Sequence, residues 1–312
     1  MSAPPVDEKV DLAGIALRNA VLTASGTFGY GTEFAPFLDL EKIGGFVAKS
    51  LTIEPRSGNP PPRIAEVPAG MLNAISIENV GVRAFLDEKL PALPKGVVVI
   101  ASAFGTEPAA YAELASRLTA HPRVAGLEIN ASCPHVKAGG IEFGQDPKLL
   151  AELVRCVRAA TQTPLLVKLS PNVSQIADMA RVCEAEGADA VSLINAVQAM
   201  DVDVEKRRPV LSNVLGGLSG PAIRPIALRM VWQVAEAVEI PICGIGGITS
   251  AEDAVKFLLC GATAVQVGTT NYLDPGAAER IARGIADYAR RQGFARVADL
   301  TGALEKTGES TL

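Results

Sequence analysis

Eight short apolar runs recur along the chain, at residues 21–25, 45–49, 97–101, 124–130, 165–169, 188–194, 241–245 and 264–268. They are apolar almost throughout and do not alternate with polar positions, the pattern of parallel strands buried on both faces. Most are followed by stretches with helical periodicity, at 108–118, 147–160, 175–186, 223–238, 251–259 and 275–291. Strand and helix in alternation predict a parallel sheet. Eight strands in sequence favour an α/β fold closed into a (β/α)8 TIM barrel over an open doubly wound sheet. A short hairpin is expected at about 6–20, ahead of the first barrel strand.

Two connections are too long for simple crossovers. Residues 50–96 carry Pro55, Pro60, Pro61, Pro62 and Pro68 in a polar, turn-rich stretch, and residues 196–220 hold Lys206-Arg207-Arg208-Pro209 and Gly216-Gly217. Long loops inside a compact domain are usually lids or binding surfaces. Both leave the C-terminal end of a strand, where barrel active sites sit, so the loops at that face are expected to be elaborated. No repeat, low-complexity tract or linker interrupts the pattern. Residues 1–312 therefore read as a single domain.

Composition narrows the class. The 312 residues are 48% hydrophobic and 20% charged, enough to bury a large core, and 4% aromatic, so that core must be mainly Ala, Val, Leu and Ile. Twenty-nine Lys and Arg against 34 Asp and Glu give a formal charge of −5, which argues against nucleic acid as the main partner. No apolar run approaches the roughly 20 residues that span a bilayer. The first residues lack a basic stretch followed by an apolar one, so no secretory signal and a cytoplasmic location are expected. Cys133, Cys156, Cys183, Cys243 and Cys260 are scattered, without a Cys-x-x-Cys pair, and only His121 and His135 accompany them. A disulfide framework or a metal or iron–sulfur site within the chain is not expected.

Polar residues gather where the strands end. Strand one runs into Ser25-Gly26-Thr27, strand two into Lys49-Ser50, strand three into Ser102, and strand four into Asn130-Ala131-Ser132-Cys133. Strand five ends at Lys168 to Ser170, strand six at Asn195, strand seven at Gly246-Gly247 and strand eight at Gly268-Thr269-Thr270. Any single Ser or Asn there could merely cap a turn. Lys49 and Lys168 carry more, because a lysine in a buried strand is costly without an anionic or electron-rich partner. Glycines after strands seven and eight predict a phosphate site, as many barrels bind phosphate there. No Walker A or G-x-G-x-x-G pattern occurs. Cys133 differs from the other cysteines: it follows a strand end, with Lys137 nearby and Gly139-Gly140 behind it. That setting suits a mobile nucleophile or base, with packing as the alternative. For His135, ligand contact, a loop hydrogen bond and solvent exposure stay open.

Asn-Ala-Ser-Cys-Pro-His-Val-Lys-Ala-Gly-Gly at 130–140 resembles the catalytic loop of class 1 dihydroorotate dehydrogenases. Similar matches are Ala-Ser-Gly-Thr-Phe-Gly at 24–29, Met-Leu-Asn-Ala-Ile at 71–75, Gly-Gly-Leu-Ser-Gly-Pro-Ala-Ile-Arg-Pro at 216–225 and Ala-Val-Gln-Val-Gly-Thr at 264–269. The Val-Lys-Ala-Gly-Gly continuation and Arg207-Arg208-Pro209 look like the NAD-linked 1B type. The resemblance implies an FMN-dependent enzyme oxidising dihydroorotate to orotate in pyrimidine (UMP) biosynthesis. It implies Cys133 as the base at C5 while the C6 hydride passes to flavin N5. Ser25, Lys49, Ser50, Ser102, Asn130, Lys168, Ile194, Gly220, Gly246, Gly247, Gly268 and Thr269 match FMN-contacting positions. Lys49, Asn73, Ala74, Ile75, Ser76, Ile77, Asn130, Asn195 and Ala196 match positions against the pyrimidine.

The same resemblance implies a partner electron-transfer subunit holding FAD and a [2Fe-2S] cluster, around a homodimer core of a heterotetramer. Departures are His135 for a usual asparagine, Ala196 for a hydroxyl residue, Ser102 for an asparagine, and Ser76-Ile77-Glu78 for Gly-Leu-Gln. They bear on substrate identity more than on the flavin site. Oxidation or reduction of a related pyrimidine, and a flavin-free phosphate-binding scaffold, are the alternatives.

Overall fold

The structure is a computed structural model and describes residues 5–131 and 143–305. Eight parallel strands close into a barrel: β1 Val21–Thr23, β2 Gly45–Val47, β3 Val99–Ala103, β4 Val124–Asn130, β5 Leu165–Lys168, β6 Ala190–Leu193, β7 Ile242–Ile245 and β8 Ala264–Val267. Each pairs with its neighbours in sequence, and β8 closes on β1 through Val265↔Val21 and Val267↔Thr23. Every residue of these strands except Ala125 is buried, which is why the runs carry no polar alternation.

Helices α1 Pro108–Thr119, α2 Pro147–Ala160, α3 Ile176–Ala185, α4 Arg224–Ala235, α5 Ala251–Leu259 and α6 Ala277–Gln292 pack around the barrel. Asp146 caps α2 by accepting from the Lys148 and Leu149 N–H groups, and Ser250 caps α5 by accepting from the Asp253 N–H. Gly293, at φ 78°, stops α6 in the left-handed conformation that glycine takes without strain. A short helical turn at Leu40–Lys42 and a helical stretch running through Gly81–Ala84 and Phe85–Lys89 stand in the first two crossovers.

The expected hairpin is present as Val10–Leu12 paired with Ile15–Leu17, turned by Ala13 and Gly14 at positive φ. Its buried residues Val10, Leu12, Ile15 and Leu17 face the N-terminal end of the barrel. There Ile15 occupies the space that a side chain at Gly126 of β4 would need.

The two long connections meet over the opposite end. Ile64–Val67 and Gly70–Asn73 form a hairpin, and Gly70–Asn73 pairs antiparallel with Gly216–Ser219, which pairs in turn with Val197–Ala199. This four-stranded roof has its own small core of Leu72, Ala74 and Leu211. Among the described residues no helix is long and apolar enough to cross a membrane.

Candidate active site

Between the roof and the C-terminal ends of the barrel strands lies a cavity of about 1150 Å³, counting the part open to solvent. Strand ends supply Ser25, Lys49, Ser50, Asn130, Lys168, Ile194, Asn195, Ala196, Gly246, Gly247, Gly268 and Thr269 to its wall. The roof and its approaches supply Asn73, Ile75, Ser76, Ile77 and Gly220. Nineteen of the positions matched to FMN or pyrimidine contacts fall in the described part, and all but Ser102 and Ala74 line this one space. Cys133 and His135 lie outside the described residues.

Ser102 and Ala74 stand one layer back. The apolar run at 97–101 appears as Val99–Ala103, so Ser102 is a fully buried strand residue rather than a strand end. Its hydroxyl lies 2.9 Å from that of Ser50, which accepts from Asn130 Nδ2 at 3.2 Å. Asn130 Oδ1 accepts from Asn195 Nδ2 at 3.4 Å. A chain of hydrogen bonds thus runs from β3 across the cavity wall to the end of β6, presenting amide groups suited to reading the edges of a polar ring. Ala74 is buried in the roof core, and its N–H donates to the Arg63 carbonyl.

Among the described residues the wall carries two lysines and no carboxylate, a cationic patch in an acidic chain. Lys49 Nζ donates to the Ser76 carbonyl across the cavity at 3.4 Å, and Ser76 itself sits at φ 69°. Lys168 is 4% exposed, with Nζ 3.5 Å from Ser25 Oγ at the cavity edge and 4.0 Å from Glu128 Oε1 below. Because β4 and β5 are in register at Asn130↔Lys168, the asparagine and the lysine emerge side by side.

Glycines shape the opposite end. A side chain at Gly247 would meet the Gly220 carbonyl at 2.7 Å and Arg224 Cβ at 2.8 Å, so the two loops touch there. At Gly268 the nearest atoms to an added Cβ are 3.6 Å away or more. Arg224 pairs with Asp253, which also accepts from the Thr249 N–H and hydroxyl and so fixes the loop after β7. Thr269 Oγ1 donates to Ser219 Oγ at 2.8 Å and ties the loop after β8 to the roof.

Met71, Ser219 and Ile223 also line the wall; they lie in the motifs at 71–75 and 216–225 but were assigned no role from sequence, and Tyr272 was not singled out at all. Tyr272 stands on the short helix Thr270–Leu273, and its hydroxyl donates to the Gly26 carbonyl at 3.2 Å. The available signal was its place five residues beyond the end of β8. That Met71 and Ser219 face the cavity together follows only from the pairing of the two long connections, which sets one opposite the other. Among the described residues, no three His, Cys, Asp or Glu side chains group as a metal site.

A sequence model of the dihydroorotate dehydrogenase family matches residues 8–288. The chain belongs to the dihydroorotate dehydrogenase family. Among its relatives is the dihydroorotate dehydrogenase B (NAD(+)) catalytic subunit of Pelobacter propionicus, 57% identical over 300 residues that cover 96% of this chain and 99% of the relative. The subunits of the same name from Trichlorobacter lovleyi and Geotalea uraniireducens are each 58% identical, over 95% and 96% of this chain and 98% of their own length. The family assignment and the barrel with its strand-end cavity agree with what the motifs at 24–29, 71–75, 216–225 and 264–269 implied.

Proposed function

We propose that this chain is the FMN-carrying catalytic subunit of an NAD-linked dihydroorotate dehydrogenase, an oxidoreductase that converts (S)-dihydroorotate to orotate in pyrimidine (UMP) biosynthesis. The observation that carries this reading is the cationic, amide-lined cavity under a roof, in a chain matched nearly end to end by relatives of that name. We read residues 1–312 as one working domain, acting in the cytoplasm.

The residues present fit FMN. The close-packed glycines after β7, with Gly268 and Thr269 after β8 on the same wall, form the small polar cradle that a phosphate needs at such barrel ends. Lys168 and Ser25 offer donors to the electron-rich edge of a flat ring, and Ile194 offers an apolar side. When bound, FMN supplies the acceptor for the substrate's hydride.

The chain's own residues do the rest. Lys49 would balance a substrate carboxylate, and Asn73, Asn130 and Asn195 would take the donors and acceptors of the pyrimidine. Ser50 and Ser102 hold Asn130 in position. The roof covers the site and limits water. Cys133 is our candidate for the group that accepts the C5 proton, as a thiolate at the moment of transfer. Electrons then leave through a partner subunit carrying FAD and a [2Fe-2S] cluster, with two copies of this chain at the core of the assembly.

The test is anaerobic and spectroscopic. The purified chain is expected to show a flavin spectrum that bleaches on addition of dihydroorotate. A persistent spectrum that bleaches instead with another dihydropyrimidine would move the substrate. A colourless protein that takes up no added FMN would overturn the reading.

A further inference from the structure

Beneath the cavity, inside the barrel, lies a carboxylate that no step above uses. Glu128 of β4 is fully buried. Its Oε2 is held by two neutral donors, Ser192 Oγ of β6 at 2.8 Å and Gln266 Nε2 of β8 at 2.9 Å. Its Oε1 takes no hydrogen bond and faces Lys168 Nζ at 4.0 Å. The side chains of Glu128 and Lys168 are 0% and 5% exposed, so the pair is almost wholly buried.

The arrangement is directional. Strand register places Lys168 beside Ser192 and next to Asn130, two residues beyond Glu128 on the same strand. Ser192 and Gln266 fix one carboxylate oxygen from across the barrel and leave the other for the ammonium alone. Lys168 is thus suspended between Oε1 below and Ser25 Oγ at the cavity edge. A buried charge is costly without a partner, and here the partner sits on the side away from the ligand space.

We propose that Glu128 is a positioning residue for Lys168: it anchors the ammonium under the flavin's place and, as a fixed negative charge, limits how strongly that ammonium favours the reduced flavin. The redox half of this inference rests on the FMN reading; the anchoring half belongs to the chain alone. Both charges are almost wholly buried, so the effect of Glu128 on the ring is screened less than that of a surface carboxylate.

Two measurements on the full chain test it. In the flavin-free protein, Glu128→Gln should lower Tm, and adding Lys168→Met should recover at least half of the loss, because removing both partners leaves no orphan charge. Losses that simply add would overturn the anchoring. In the FMN-loaded protein, Glu128→Gln should shift the flavin's reduction equilibrium about tenfold toward the reduced form, a rise of about 30 mV for a two-electron couple. Glu128→Asp, which keeps the charge, should stay near the unmutated value and serves if the Gln variant does not fold. A potential that is unchanged or lowered in Glu128→Gln, or raised equally by Glu128→Asp, would overturn the redox half. A chain that binds no FMN would sink the functional reading and the redox half, while the flavin-free comparison still decides the anchoring.

Discussion

Arg224 Nη1 and Asp253 Oδ1 lie 2.7 Å apart and join the start of α4 to the first turn of α5 directly behind the glycine loop after β7. Burial pushes the Asp253 carboxyl up, but the Thr249 hydroxyl and N–H, the Arg224 charge and Ser250 together hold it below the ordinary aspartate range. A lowered folded value means that the stabilisation is full above the unfolded value near 3.9 and is lost as pH falls through the folded one. Asp253→Asn should cost about 2 kcal/mol at neutral pH, the scale of hydrogen bonds to a charged group. Chemical denaturation at several pH values checks this: the gap from the unmutated chain should narrow below about pH 4.

Ser76 takes φ 69° on the cavity wall, a conformation that costs an L-residue about 1–2 kcal/mol and glycine almost nothing. Part of the gain is offset by glycine's greater freedom when unfolded. Ser76→Gly is expected to stabilise the chain by about 0.5–1 kcal/mol while its carbonyl still accepts from Lys49. Thermal unfolding reads it directly, and a lower Tm would contradict it.

Ser102 supports the wall without forming it. Ser102→Ala should leave the buried Ser50 hydroxyl short of a partner and cost about 1 kcal/mol of stability. FMN affinity should change by less than about fivefold, since no wall atom is removed. Fluorescence titration with FMN would separate this from a direct cofactor contact, which would weaken binding by more.

Cys133→Ala should retain FMN yet slow flavin reduction by dihydroorotate sharply, measured anaerobically by stopped flow. In the unmutated chain that rate should rise with pH through the thiol's ordinary range near 8.5, because the thiolate is the base. A flat profile, or reduction as fast in the variant, would remove Cys133 from the proton transfer.

The barrel was legible because each parallel strand is buried on both faces and so writes an apolar run. The cavity wall was legible because lysines and asparagines are conspicuous at the ends of such runs. The roof was not. Ile64–Val67 is half exposed throughout, Gly216–Ser219 is glycine-rich, and their common sheet depends on Gly217↔Asn73, a pairing that no local pattern announces. Ser102 misled for a related reason: a serine reads as a strand end, and only the buried Ser50 hydroxyl explains why the strand continues through it. Glu128 sat in plain view within an apolar run, but its meaning needed Lys168, Ser192 and Gln266 from three other strands.

The roof also sets an order of events during synthesis. Asn73 and Gly217, which share its central pairing, are 144 positions apart. At about 5–20 residues per second, a ribosome needs roughly 7 to 30 s to travel from one to the other. Through that interval the early hairpin waits with Met71 and Asn73 uncovered. A nascent chain released before the second long connection emerges would own part of a floor, and no enclosure for a ligand to enter.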